Sequence, residues 1–132
     1  MNLDKINKIK EWMSFANEDL YAAEHFLKTM EFPIYRLVGF NAQQSAEKYL
    51  KAYQIYNDLK IIKTHDLDIL IGSLKEFDCD IDKFENASMV LTGFAVKFKY
   101  PDDFVDIKKE DAEKSIEIAK EIQKYITQKI VL

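Results

Sequence analysis

A chain of 132 residues, 48% hydrophobic and 32% charged, is long enough to build one domain with its own core and too apolar to be disordered. Three glycines and two prolines are too few for a sandwich or barrel with many tight turns, and the single cysteine, Cys79, excludes an internal disulfide and a thiolate metal site. A net charge of −4 and a pI near 5.2 exclude nucleic-acid binding driven by bulk charge, so no DNA partner is expected.

The spacing predicts a first helix from about Leu3 to Lys28. Leu3, Ile6, Ile9, Met13, Ala16, Leu20, Ala23 and Leu27 recur at steps of three and four, Trp12, Phe15 and Phe26 widen that face, and Asn2 is the N-cap. Asp19 interrupts the stripe, either as an exposed flank or as a hydrogen-bonded carboxylate. His25 has no spaced partner and reads as surface.

Pro33 is suited to the first turn of a helix, so the second should run from about Pro33 to Tyr56, followed by a turn at Asn57-Asp58. Its centre, Phe40-Asn41-Ala42-Gln43-Gln44-Ser45-Ala46-Glu47-Lys48-Tyr49-Leu50-Lys51-Ala52, carries an apolar row at Ala42, Ala46, Tyr49, Leu50 and Tyr53. One polar edge holds Arg36, Gln43 and Glu47, and a second holds Gln44, Lys48 and Lys51. Small alanines where bulky residues usually sit imply close helix–helix approach.

Thr64-His65-Asp66-Leu67 should open a third helix, capped by Thr64 or Asp66, with Leu67, Leu70, Ile71, Leu74 and Phe77 as its stripe. Asp78-Cys79-Asp80 ends it, which places Cys79 near a helix junction. Asp82-Lys83-Phe84-Glu85 has the capping-box pattern for a fourth helix that turns Phe84, Ala87, Leu91, Phe94, Ala95 and Phe98 inward. Lys99-Tyr100-Pro101-Asp102-Asp103 reads as a loop. A fifth helix from about Lys108 to Ile130 follows, with Ala112, Ile116, Ala119, Ile122, Ile126 and Ile130 facing the core.

These readings give a single domain over residues 1–132, an all-α, up-and-down antiparallel bundle of about five helices. No apolar run approaches the about 18 residues that a membrane span needs. Met1-Asn2-Leu3-Asp4-Lys5 also lacks a signal-peptide apolar run, so a cytoplasmic location is expected.

Several elements together resemble the HEPN domain family, named for higher eukaryotes and prokaryotes nucleotide-binding. They are Trp12, Ala16, Asp19-Leu20 and Ala23 in the first helix; Asn41 to Ala52, close to the family's HAQQAAEKALKA signature; Thr64-His65-Asp66-Leu67, matching its TH-x-L element; and Lys99-Tyr100-Pro101, similar to its RYP element. The resemblance implies an all-α bundle that forms a homodimer. It also implies a two-gene module of toxin–antitoxin type with a minimal nucleotidyltransferase as partner, and a nucleotide or RNA as ligand. Many members are metal-independent ribonucleases with an Arg-x4–6-His motif.

Here the only arginine, Arg36, is followed five residues on by Asn41, which has no titrating side chain. Lys99 replaces the arginine of RYP, a point charge instead of a bidentate fork. The leading expectation is therefore a non-catalytic or weakly active nucleotide- or RNA-binding protein. The alternatives are a ribonuclease toxin using Arg36, Asn41 and His65, and a helical interaction scaffold.

Candidate ligand-binding residues are Gln44, Lys48, Lys51, His65, Lys99 and Tyr100. His65 sits where a helix N-terminus can hold a phosphate, Lys63 and the lysines add charge, and Tyr100 and Phe98 offer a face for a base. On a purely structural reading, His65 instead bonds a backbone carbonyl and fixes its loop, and Arg36 pairs with Glu47 inside a dimer interface. No cofactor and no metal are expected, since neither histidine lies in a ligand pattern.

Overall fold

The computed structural model describes residues 1–29, 31, 32, 34–99 and 106–132, with residues 96–99 described as backbone. Five α-helices lie among them: α1 (Leu3–Thr29), α2 (Tyr35–Tyr56), α3 (Leu67–Leu74), α4 (Glu85–Lys99) and α5 (Lys109–Lys129). A 3₁₀ helix, Cys79–Phe84, precedes α4. No strand occurs among the described residues. The all-α helical bundle expected from the periodicity is what forms.

Helix α1 begins where its cap predicts. The Lys5 backbone N–H donates to Asn2 Oδ1 at 2.8 Å, satisfying one of the donors a helix start leaves open. Ile9, Ala16, Leu20 and Ala23 are buried on one face. They meet α2, which packs against α1, α3, α4 and α5 and is the centre of the bundle. The small residues act as expected, because Ser45 Oγ donates to the Ala16 carbonyl at 2.7 Å, possible only where two helix backbones come close. Gly39 serves the opposite face: a Cβ built there would lie 3.2 Å from Phe94 Cβ of α4.

Four local expectations need correction. The start of α2 is at Tyr35, after an extended Ile34, while Pro33 lies outside the described residues. Helix α3 ends at Leu74; its stripe of Leu67, Leu70, Ile71 and Leu74 is buried, but Phe77 lies beyond it and is exposed. Neither Thr64 nor Asp66 caps α3 with a side-chain bond to its opening N–H groups. Thr64 Oγ1 accepts from the Asp66 N–H, and the Leu67 N–H donates to Thr92 Oγ1 of α4. The Asp82–Glu85 capping box is absent as well. A 3₁₀ segment buries Ile81 and Phe84 at its three-residue spacing, and the Lys75 ammonium takes both carboxylates, at 2.8 Å from Asp82 and 3.4 Å from Glu85.

Helix α5 follows its prediction closely, burying Ala112, Ile116, Ala119, Ile122 and Ile126. Its first turn is closed by the Lys108 backbone N–H, which donates to Asp111 Oδ2 at 2.9 Å. Tyr100, Pro101, Asp102 and Asp103, and the side chains of Phe98 and Lys99, lie outside what the structure describes.

Candidate functional site

A helix packed on several sides has no solvated margin, so the polar residues of α2 must find partners inside the bundle. Gln43 and Gln54 are fully buried and Glu47 nearly so. Gln43 Nε2 donates to the His65 carbonyl at 2.7 Å, and Gln44 Nε2 donates to Gln43 Oε1 at 2.9 Å. One turn on, Glu47 Oε1 lies 2.8 Å from His65 Nδ1, and Glu47 Oε2 accepts from Lys51 Nζ at 2.9 Å. Members of both edges of the central stretch thus join in one polar ladder, with buried Gln43, Glu47 and Lys51 each one helical turn apart.

The ladder clamps the segment leading into α3. His65 is held at its backbone by Gln43 and at its ring by Glu47. Its side chain stays 63% exposed, whereas that of Glu47 is only 5% exposed. With Nδ1 turned to the carboxylate, Nε2 is the ring nitrogen left for an outside group. On the far side of the ladder, Lys51 Nζ lies 5.7 Å from the centre of the Trp12 ring. Periodicity alone puts Trp12 on a core face and says nothing of this contact. The spacing of Glu47 and Lys51 at i and i+4 is the signal that could have found their pair.

The proposed ligand residues fall into three groups. His65, Lys51 and Gln44 are joined through the ladder. Lys48 is bound to Asp19 of α1, which makes Asp19 a half-buried hydrogen-bonded carboxylate and neutralises the lysine. The Lys99 side chain and Tyr100 are outside the described residues.

Arg36 stands apart from this arrangement. It is eleven residues before Glu47, about 16 Å along a helix at 1.5 Å per residue, so the two side chains do not meet within one chain. Asn41 is turned back on its own helix, its Nδ2 donating to the Leu37 carbonyl at 3.0 Å. His25 is exposed and stacks on Tyr21 with ring centroids 6.0 Å apart.

Two further polar clusters were not expected. Tyr49 Oη donates to Asn17 Oδ1 and accepts from Gln123 Nε2 at 2.7 Å, joining α2, α1 and α5. Asp78 Oδ2 accepts from Tyr53 Oη at 2.9 Å and from Tyr125 Oη at 2.6 Å, with Lys129 Nζ at 3.8 Å. Burial raises the Asp78 pKa, but the hydroxyls of Tyr125 and Tyr53 and the Lys129 charge outweigh it and hold the carboxyl below its ordinary value. Burial and then the same carboxylate push both phenols well above the ordinary tyrosine range.

Among the described residues, no group of three or more His, Cys, Asp or Glu side chains is placed to hold a metal ion. No helix among them is long and apolar enough to cross a membrane.

Comparison with known proteins matches this architecture. The crystal structure of TT1696 from Thermus thermophilus superposes with a TM-score of 0.81 at 24% identity, over 94% of this chain and 99% of that one. No curated protein matched the sequence. The family model for the HEPN domain matches residues 9–130, which includes the α2 ladder and the His65 segment it clamps. The chain belongs to the HEPN domain family.

Proposed function

We propose that this protein is a non-catalytic or weakly active HEPN protein that binds a nucleotide or RNA. In this reading it works in the cytoplasm as a homodimer, in a two-gene module of toxin–antitoxin type with a minimal nucleotidyltransferase. The observation that carries it is the state of Asn41. A metal-independent ribonuclease needs a group near Arg36 that exchanges a proton with the ribose 2′-OH, and Asn41 is a non-titrating amide spent on the Leu37 carbonyl.

What remains suits binding. His65 is oriented by two bonds and offers Nε2 outward, with Lys51 and Gln44 joined to it through Glu47 and Gln43, and Lys48, Lys99 and Tyr100 make up the rest of the proposed ligand set. Apolar side chains left at the surface, Phe15 and Phe32 among them, support association with a second copy.

One feature favours the ribonuclease reading. Glu47 fixes the His65 ring through Nδ1 and leaves Nε2 as a proton acceptor, an arrangement that suits general-base chemistry. Incubation of the purified protein with single-stranded RNA separates the two. The binding reading predicts little or no cleavage. Efficient cleavage that disappears in Arg36→Ala and His65→Ala, with helicity unchanged, would establish the enzyme.

A further inference from the structure

Overall charge is negative, and most lysines near the His65 ladder are neutralised: Lys48 by Asp19 and Lys51 by Glu47. Free positive charge collects elsewhere, where the 3₁₀ helix and the start of α4 meet the end of α5. An open groove of about 550 Å³ lies there, lined by Lys83, Phe84, Glu121, Lys124, Tyr125 and Gln128. That volume is within the range of small-ligand sites, about 300–1,000 Å³.

Among the described residues, no carboxylate lies within ion-pair distance of Lys83 or Lys124; the third ammonium, Lys129, meets only buried Asp78, at 3.8 Å. The groove's aromatic floor is rigid. Tyr125 is anchored by its hydroxyl to Asp78, and its ring meets Phe84 edge-on at 5.2 Å. Lys83 Nζ lies 4.6 Å from the centre of the Tyr125 ring and Lys129 Nζ 5.4 Å from it.

We infer that this groove is a second, separate binding site for a nucleotide unit, a planar base carrying a phosphate. The base stacks on Tyr125 and displaces an ammonium from the ring face. The phosphate takes the charge of Lys83 and Lys124, which an uncharged aromatic ligand would leave unused. Glu121 and Gln128 supply acceptors for the ribose hydroxyls or an exocyclic amine. No residue of the His65 ladder takes part.

Isothermal titration calorimetry tests it with AMP, inorganic phosphate and a six-nucleotide single-stranded oligoadenylate. The proteins are the wild type, Lys83→Glu, Lys124→Glu, His65→Ala and, as a control for net charge, Lys10→Glu. Both groove lysines are exposed, so their reversals leave the fold intact. The wild type should show a binding step for AMP or the oligoribonucleotide, tighter than for phosphate, that weakens at least tenfold in Lys83→Glu and in Lys124→Glu, is unchanged in Lys10→Glu and persists in His65→Ala, which removes only binding at the ladder. Binding of AMP assigns the site to free nucleotide, and binding of the oligoribonucleotide alone assigns it to an RNA strand. Binding that survives both groove reversals but is lost in His65→Ala would overturn the groove and leave the His65 site standing. Phosphate binding as tight as AMP binding would overturn the base-stacking part, and no binding by any probe would overturn both sites.

Discussion

Glu47 Oε1 and His65 Nδ1 meet at 2.8 Å across 18 residues of chain, and the other oxygen of the same carboxylate holds Lys51. Truncating Glu47 strands a buried ammonium and frees the His65 ring at once. Glu47→Ala should therefore cost about 3–5 kcal/mol, the range for breaking a buried ion pair. Glu47→Gln keeps one acceptor oxygen, enough for one of the two partners, and should cost less than the alanine. Urea unfolding of the three proteins measures both.

The Asp78 cluster predicts instability at both pH extremes. The Asp78 carboxyl titrates below its ordinary 3.8 when folded, so its contribution is complete above that value and is lost as pH falls through the folded value. Tyr53 and Tyr125 titrate above their ordinary 10.0, so their contribution is complete below that value and is lost as pH rises through the folded one. Asp78→Ala should flatten both limbs of the stability–pH curve. It leaves two tyrosine hydroxyls unpaired and should cost about 2–4 kcal/mol at neutral pH. Thermal unfolding from pH 3 to pH 11 checks the sign of each limb.

Two helical glycines should respond oppositely to alanine. At Gly39 of α2 the added methyl would press on Phe94 of α4 at 3.2 Å, so Gly39→Ala should destabilise by about 1–3 kcal/mol. Around Gly93 of α4 nothing lies within 4 Å, so Gly93→Ala should stabilise by about 0.5–1 kcal/mol through helix propensity alone. Denaturant midpoints of the two variants decide this.

The helices were legible in the sequence because each buries one face, and burial imposes a period. Asn2, Leu67 to Leu74 and Ala112 to Ile126 sit where that period puts them. The candidate site was legible as residue types but not as connections. Gln43, Glu47 and Lys51 read as parts of two separate polar edges, with Glu47 given to Arg36 and Lys51 to a ligand, because periodicity reports one helix at a time and α2 is buried by its neighbours on several sides. Lys48 read as free charge because its partner, Asp19, comes from a different helix. The Tyr53–Asp78–Tyr125 cluster and the Lys83–Lys124 groove join segments more than twenty residues apart, and no local pattern announces either.

Arg36 makes a weaker demand on the fold. It is half-buried, and among the described residues it forms no ion pair, so Arg36→Ala should change stability by under about 1 kcal/mol. Near-wild-type unfolding in this variant would make it a clean probe in the RNA cleavage assay.

The central claim is that this HEPN protein binds nucleotides or RNA, and thermal unfolding with a panel of mono- and triphosphate nucleotides and a short RNA tests it most directly. A ligand at about a hundred times its dissociation constant should stabilise the fold by roughly 2.7 kcal/mol, raising the midpoint by several degrees. At least one of these ligands should produce such a shift in the wild type. His65→Ala should abolish the part of the shift due to the α2 ladder, with little change in the unliganded midpoint. An unfolding midpoint that no nucleotide and no RNA moves would contradict the central claim.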